Sequence, residues 1–239
     1  SCMLNTIANV LYPAACLLCR RACITATAVF CDACQQDVRA PSLPLCQCCG
    51  AEVPGAFDAR LRCQPCQRRP RAFISARAPF TYETTVREAI HAFKYHGHHR
   101  IGRWLALGMS RMAEATFPLA SITRIVPVPM HGIKRRFRGE DPVASLAQWV
   151  AGSLRLPYDP HLLCRTRWSA SQTRLTTSQR FRNVEGLFRI RARSPVDRAV
   201  LLVDDVLTSG ATANSCALGL RASGVQEVFV LTAARASLQ

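Results

Sequence analysis

Ala199-Val-Leu-Leu-Val-Asp-Asp-Val-Leu-Thr-Ser-Gly-Ala-Thr212 is the stretch whose reading decides the fold. Ala199 to Val203 is apolar, uncharged and partly β-branched, as in a strand buried within a parallel sheet. Two adjacent acids follow, Asp204 and Asp205, then Val206, Leu207 and a turn of small residues: Thr208, Ser209, Gly210, Ala211 and Thr212. Cys216, Leu218 and Leu220 continue as a helical pattern that closes near Ser223-Gly224. Strand, small-residue loop and helix N-terminus together form an anion site, because backbone N–H groups converge there and the helix dipole adds partial positive charge. Gly210 is expected to let the backbone approach a ligand oxygen closely.

The paired acids select the anion. They would repel a bare phosphate, but they suit a sugar phosphate, whose vicinal hydroxyls donate to the carboxylates while the loop takes the phosphate. The loop has no Gly-Lys-Ser/Thr, so it is not a nucleoside triphosphate P-loop, and no G-x-G-x-x-G follows a strand here. The stretch resembles the motif of type I phosphoribosyltransferases, which bind phosphoribosyl pyrophosphate. That resemblance implies that Asp204 and Asp205 hold the ribose hydroxyls and that Thr208, Ser209, Gly210, Ala211 and Thr212 hold the 5′-phosphate. The plain alternative is an ordinary strand-to-helix turn with a capping acid.

A chain of 239 residues accommodates one α/β domain of about 150 residues and a smaller module. No run of 18 or more uncharged apolar residues occurs, so no membrane insertion is expected. Ser1 to Leu18 is apolar, a little like a secretory leader, but it lacks a basic flank and Pro13 interrupts it. It reads as a short lead-in, and the protein as cytoplasmic.

Eleven of the thirteen cysteines fall in the first 66 residues. Eight of them form four C-x-x-C pairs: Cys16/Cys19, Cys31/Cys34, Cys46/Cys49 and Cys63/Cys66. Such knuckles are typically zinc ligands. The spacing predicts two tandem zinc ribbons, each holding a structural Zn²⁺ in a four-cysteine site. The simplest pairing is sequential, and an interleaved one is also compatible. Cys48 competes with Cys49 for a ligand role, although Cys46-x-x-Cys49-Gly50 has the usual knuckle ending, and Cys2 and Cys23 look spare. So little apolar mass lies here that metal must supply the folding energy, on the order of 10 kcal/mol per site. Four thiolates leave no open coordination position, so catalysis at zinc is not expected. Gln67 to Arg71 reads as the linker, which divides the chain into 1–70, the double zinc ribbon with its lead-in, and 71–239, the α/β domain.

The formal charge is +16, and its position matters more than its size. Residues 1–70 carry seven Arg against four acids, a balance of +3, which two zinc-tetrathiolate sites would bring to about −1. Residues 131–193 carry thirteen Lys and Arg against four acids, a balance of +9. The positive field therefore belongs to the second domain and suits a polyanionic small substrate, nucleic acid, or both.

The rest of the chain reads as alternating short strands and helices. Phe73 to Tyr82 looks extended. Glu83 to Tyr95 places Val86, Ala89, Ile90 and Phe93 at helical spacing, and Ile101, Trp104, Leu105 and Met112 mark a second helix. His96, His98 and His99 cluster between these helices without a nearby carboxylate and read as a helix terminus rather than a metal site. Ile125 to Pro129 is a short buried strand, followed by Lys134, Arg135, Arg136 and Arg138, a natural place for a diphosphate. Ligands of open parallel sheets sit at the carboxyl ends of the strands, so the loops after Val126 and Val203 can face one ligand from two sides. Val143 to Leu154 reads as a helix, Leu162-Leu163 as a strand, Val184 to Ile190 as an edge strand and Val225 to Thr232 as the last core strand. Arg165 to Asn183 has five arginines and scattered hydroxyls; it is long for a plain connection and reads as a lid or a tether.

The order of these features resembles the ComF family: four Cys pairs, Phe93-Lys94-Tyr95, Val126-Pro127-Val128-Pro129, Arg138-Gly139, Gln172-Thr173-x-Leu175, Arg180, Arg182-Asn183, Phe188 and the phosphoribosyl motif. The resemblance implies a double zinc ribbon followed by a type I phosphoribosyltransferase-like parallel-sheet domain, in a protein linked to competence and DNA uptake. One departure is visible. Glu140, Asp141 and Pro142 follow Arg138-Gly139 where the family usually has an aromatic, Asn and Gln.

Two functions from different classes are compatible with this reading. The favoured one is a phosphoribosyltransferase-type protein, dependent on Mg²⁺, that binds phosphoribosyl pyrophosphate or a nucleotide. Asp204 and Asp205 would hold the ribose, and Lys134, Arg135, Arg136 and Arg138 the diphosphate, with Arg174 and Arg180 closing from the lid. No residue stands out as a general base. The other is a non-catalytic factor that handles single-stranded DNA, or a zinc-ribbon adaptor docking onto DNA-uptake proteins, with the pocket used only for binding.

Overall fold

The structure is a computed structural model that describes residues 15–25, 27–55, 61–130, 141–165, 179, 186–190 and 198–237. Two short helices follow the second knuckle of each ribbon, α1 (Asp32–Gln36) and α2 (Gln64–Arg68). The α/β unit then runs β1 (Ser75–Arg77), β2 (Phe80–Thr81), α3 (Thr84–His96), α4 (His99–Thr116), β3 (Ile122–Pro127), α5 (Pro142–Leu154), β4 (Leu163–Arg165), β5 (Phe188–Ile190), β6 (Ala199–Leu207), α6 (Ala211–Ala222) and β7 (Glu227–Arg235). The main sheet is parallel, in the order β1-β7-β6-β3, with β2 also on β7. Residues 73–82, expected as one extended stretch, form two strands broken at Ala78-Pro79, where proline cannot donate to the ladder. Of the stretches expected as strands at 162–163 and 184–190, Leu163 belongs to β4 and Phe188–Ile190 form β5; residues 184 and 185 lie outside the described residues, and among those described β4 and β5 pair with each other, antiparallel and apart from the main sheet, rather than at its edge.

β6 is apolar because both its faces are covered. Leu201 and Val203 join Ile125, Phe229 and Leu231 in one core with α3, α4 and α5; Val200 and Leu202 join Val126, Val228 and Val230 in a second core with α6. α3 buries Val86, Ala89, Ile90 and Phe93 at the expected spacing. α4 comes close enough to α3 and α5 that a Cβ on Gly102 would meet the Phe93 and Trp149 rings at 2.5 and 2.6 Å. The two cysteine-rich ribbons divide between the cores. The first, with Cys16, Cys23, Phe30 and Cys31, lies in the α3–α5 core; the second, with Cys46, Cys48, Cys49, Cys63 and Cys66, lies in the α6 core.

Each ribbon is held to the sheet domain by polar contacts. Asp37 of the first accepts from Thr85 N (3.2 Å) and Thr85 Oγ1 (2.9 Å), which caps the start of α3, and Phe30 meets Trp104 edge-on at 4.9 Å. Hydrogen bonds from Thr84 and Thr85 hold the Asp37 carboxyl below its ordinary pKa. In the second ribbon Cys48 O accepts from Ala76 N at 2.7 Å, which covers the exposed edge of β1.

The two knuckle turns are built alike. Cys16 N donates to Arg21 O and Cys46 N to Ala51 O; Arg20 and Gly50 occupy the same place, both left-handed, at φ 65° and 64°. Arginine is tolerated at the exposed turn. At the second turn a Cβ would stand 2.6 Å from Ala76 O, so glycine is demanded by conformation and space together. Gly50→Ala is expected to destabilise the protein by about 2 kcal/mol or more. Gly152→Ala, on the exposed side of α5 with nothing within 4 Å, should instead stabilise by roughly 0.5 kcal/mol. Urea denaturation of both variants checks the pair, and equal effects would contradict the docking of the second knuckle.

Candidate functional site

β6 continues beyond the apolar run, so the acids lie inside the strand rather than after it. Asp204 is in register with Thr232 of β7, and the strand ends only at Leu207. The neighbouring strand leaves the sheet here as well: Val128 N donates to Val203 O at 2.8 Å. The chain leaving β3 is therefore beside the acid pair at Val128. Lys134, Arg135, Arg136 and Arg138, and the lid residues Arg174 and Arg180, lie outside the described residues. Asp141, part of the departure from the family pattern, is the N-cap of α5 and accepts from Val143 N (3.0 Å) and Ala144 N (3.2 Å).

The two acids are not equivalent. Asp205 pairs with Lys94 of α3 at 2.6 Å. Burial works against the Lys94 ammonium, but Asp205 and then Asp204 outweigh it and hold its pKa above the ordinary lysine value. The Asp204 carboxyl is pushed up to about 8 by burial and by the charge of Asp205, against the Asp205 N–H it accepts at 2.9 Å and the more distant Lys94. Near neutral pH Asp204 is thus mostly protonated and can donate a hydrogen bond as well as accept one. In the sequence Lys94 stands out only as part of a family motif. The signal for a site role is its place four residues after Ile90 and next to Phe93, both buried, at the rim of the apolar stripe of α3.

Beyond Leu207 the loop turns into α6. Gly210 is its N-cap at φ 74°, and Ala211 N lies 3.4 Å from Ser209 Oγ. A Cβ on Gly210 would meet only ordinary protein contacts at 3.8 and 3.9 Å, so within the protein it is the left-handed backbone that favours glycine here. Asn214 Oδ1, one turn into α6, accepts from Ala72 N at 2.8 Å and ties the helix to the chain leaving the second ribbon.

The cysteines assemble as two sets of four. Sγ atoms of Cys16, Cys19, Cys31 and Cys34 lie within 4.8 Å of one another, as do those of Cys46, Cys49, Cys63 and Cys66. Several pairs stand at 3.5–3.6 Å, close to the edge of about 3.8 Å in a tetrahedron with Zn–S near 2.3 Å. The sets fit zinc, in the sequential grouping, with Cys48 buried beside the second set but outside it. Cys63 N and Cys49 N both approach Cys46 Sγ, at 3.3 and 3.5 Å, as N–H groups do around a metal-bound thiolate. His96 and His98 join no such set among the described residues.

Residues 7–67 match the family model of the double zinc ribbon domain. Competence protein F of Haemophilus influenzae is 29% identical over 227 residues, covering 92% of this chain and 96% of that protein. The chain resembles competence protein F. The DNA utilization protein YhgH of Escherichia coli K12 is likewise 29% identical over 226 residues, covering 91% and 95%. The likeness to competence protein F and YhgH thus extends over ribbon and sheet domain together. Among solved structures, the allosteric regulatory enzyme of purine biosynthesis gives a TM-score of 0.36 at 21% identity, over 55% of this chain and 25% of that one. Adenine phosphoribosyltransferase from Leishmania donovani gives 0.35 at 17%, over 58% and 53%. No helix among the described residues is long and apolar enough to cross a membrane.

The unequal acids set two expectations. An unfolded aspartate titrates near 3.9, whereas folded Asp204 titrates near 8, so the folded state holds this proton more tightly. The stability it contributes is full below about pH 4 and is lost as pH rises towards 8. Asp204→Asn should therefore gain on the wild type as pH is raised from about 6 to 9, which calorimetric melting at several pH values reads; a constant difference would contradict the buried neutral acid. Lys94→Met should destabilise by about 2 kcal/mol, and adding Asp205→Asn should recover more than half of that. Simple additivity in this cycle would show that the ion pair carries no coupling.

Proposed function

We propose that the sheet domain binds phosphoribosyl pyrophosphate, or a nucleotide presenting the same ribose 5-phosphate, and acts as a phosphoribosyltransferase-type protein in the handling of incoming DNA. The observation that supports this most directly is the end of β6, where two acids of different protonation stand before a glycine-capped helix N-terminus. Asp205, paired with Lys94, would accept a hydrogen bond from one hydroxyl. The neutral Asp204 accepts or donates, so a diol can be held from both sides without placing two negative charges against a phosphorylated ligand. The amides opening α6 and the hydroxyls of Thr208, Ser209 and Thr212 are suited to the 5′-phosphate. The donors here are carboxylate and hydroxyl oxygens, which fit Mg²⁺, and Mg²⁺ arriving with the diphosphate would offset its charge. The basic loop after β3, with Lys134, Arg135, Arg136 and Arg138, would take the diphosphate, and Arg174 and Arg180 would close over it.

In transfer, the C1–oxygen bond to pyrophosphate would break as the sugar becomes cationic, and charge would build on the leaving group. The side chains needed are those that neutralise diphosphate and exclude water. The link to DNA uptake is supported by the names of the two relatives, and a cytoplasmic site of action follows from the same reading. A second reading is favoured by the charge balance of +9 over residues 131–193: the same basic segments would grip the backbone of single-stranded DNA, with the pocket serving only for binding.

Calorimetric titration of phosphoribosyl pyrophosphate with Mg²⁺ into the zinc-loaded protein separates the two. Saturable binding that is lost in Asp204→Asn/Asp205→Asn is the expected result. No heat from the wild type, with DNA binding intact and unaffected by the double substitution, would overturn the phosphoribosyl reading in favour of the second.

A further inference from the structure

Arg235 is the last residue of β7, and its side chain is buried, only 5% exposed. Its guanidinium joins two parts of the molecule that precede it in the chain by 186 and 28 residues. Nε donates to Cys49 O at 3.1 Å, and Nη2 stands 3.7 Å from Cys49 Sγ. Nη1 donates to Leu207 O at 2.9 Å, to Thr208 O at 2.8 Å and to Ala236 O at 2.5 Å. The carbonyls of Leu207 and Thr208 are the first two of the loop that leads into α6. Cys49 is a member of the second four-cysteine set.

Burying a guanidinium needs a compensating negative charge. Arg235 makes no ion pair with a carboxylate among the described residues. Its Nη2 stands 3.7 Å from Cys49 Sγ of the second ribbon, where four thiolates around one Zn²⁺ would carry −2. Registry makes the geometry stiff: Leu207 and Arg235 are opposite each other in the β6–β7 ladder, and Gly50, the residue after Cys49, is pressed against Ala76 O of β1. The planar fork reaches a zinc ligand on one side and the loop on the other, which a lysine ammonium cannot do at once.

We propose that Arg235 is a positioning residue that couples zinc loading of the second ribbon to the geometry of the Thr208–Thr212 loop. The loaded four-thiolate centre fixes the guanidinium, and the guanidinium fixes the two carbonyls from which the loop departs. The coupling is between zinc and loop; its effect on a ribose phosphate rests on the function proposed above. By reciprocity, a ligand that tightens the loop raises the zinc affinity of the second site by the factor with which that zinc tightens the ligand. The first ribbon has no such contact among the described residues and serves as an internal control.

The test compares wild type, Arg235→Met and Arg235→Lys, each zinc-loaded, by segment-resolved hydrogen exchange over residues 16–22, 46–51, 199–203 and 207–212. In the wild type, chelating zinc is expected to raise exchange in 46–51 and 207–212 together. In both variants, 207–212 should exchange fast with zinc still bound and no longer respond to chelation, while 16–22 and 199–203 keep their wild-type protection. Phosphoribosyl pyrophosphate binding should weaken by roughly tenfold in both variants. Wild-type protection of 207–212 in zinc-loaded Arg235→Lys, or a loop indifferent to opening of the 46–51 knuckle, would overturn the proposal. If Arg235→Met or chelation unfolds the chain, zinc-loaded Arg235→Lys decides alone. Absence of ligand binding by the wild type would count against the proposed function only, because the exchange readout needs no ligand.

Discussion

Two carboxylates lie inside a strand that is covered on both faces, and the C-terminal end of the sheet is arranged around that constraint. Ionised acids in such a position are unfavourable unless something opposes their charge. Here the opposition is unequal. Lys94 reaches Asp205 from α3 at 2.6 Å, and Asp204, farther from that ammonium, keeps its proton to about pH 8. For Lys94 to reach the acids, α3 must pass over the end of β6, and the Val86, Ala89, Ile90 and Phe93 stripe that packs it onto the sheet sets its rotation. The same core thus provides both the hydrophobic driving force for the helix and the placement of its inward cation.

The ribbons answer a different constraint. A parallel sheet of this kind leaves a strand edge at β1, and short strands such as β1 and β2 bury little by themselves. The second knuckle hydrogen-bonds to that edge through Cys48 O, while the first caps α3 through Asp37 and packs Phe30 on Trp104, itself stacked on Phe80 at 4.5 Å. The ribbons therefore flank the two sides of one sheet edge rather than trailing from it. Since their own folding depends on metal, zinc contributes indirectly to the order of β1, β2 and the start of α3.

Much of this is legible in the sequence. Uniform apolar content announces β6 and β7, helical spacing announces α3 to α6, and the C-x-x-C pairs announce both four-cysteine sets, because each of these rests on local periodicity or ligand spacing. What stays hidden depends on register and on distance along the chain. That the acids stand within β6, and not after it, follows from pairing with Thr232 and Ala234 of β7. β4 and β5 read as ordinary strands because a three-residue strand does not reveal its partner. Gly210 is legible as a turn glycine, but its left-handed backbone angle shows only in the fold. Arg235 carries no sequence signal, since a lone arginine after an apolar strand looks solvated until the turn of the second knuckle is found against it.

Charge separates the ligand surfaces of the two modules. With zinc in both sites the ribbon half is close to neutral, about −1, while residues 131–193 hold +9. The positive field of the chain therefore belongs to the sheet domain and not to the ribbons. At the C-terminal end of β6 the polarity reverses, with Asp204 and Asp205 side by side in the strand. A uniform polyanion gains nothing from two acids at that place. A ligand with phosphate at its ends and hydroxyls between gains from both. The charge pattern along the chain, basic segments on one side and two acids at the end of β6 on the other, is thus a reason for the proposed ribose phosphate over a uniform polyanion as the partner of the acids.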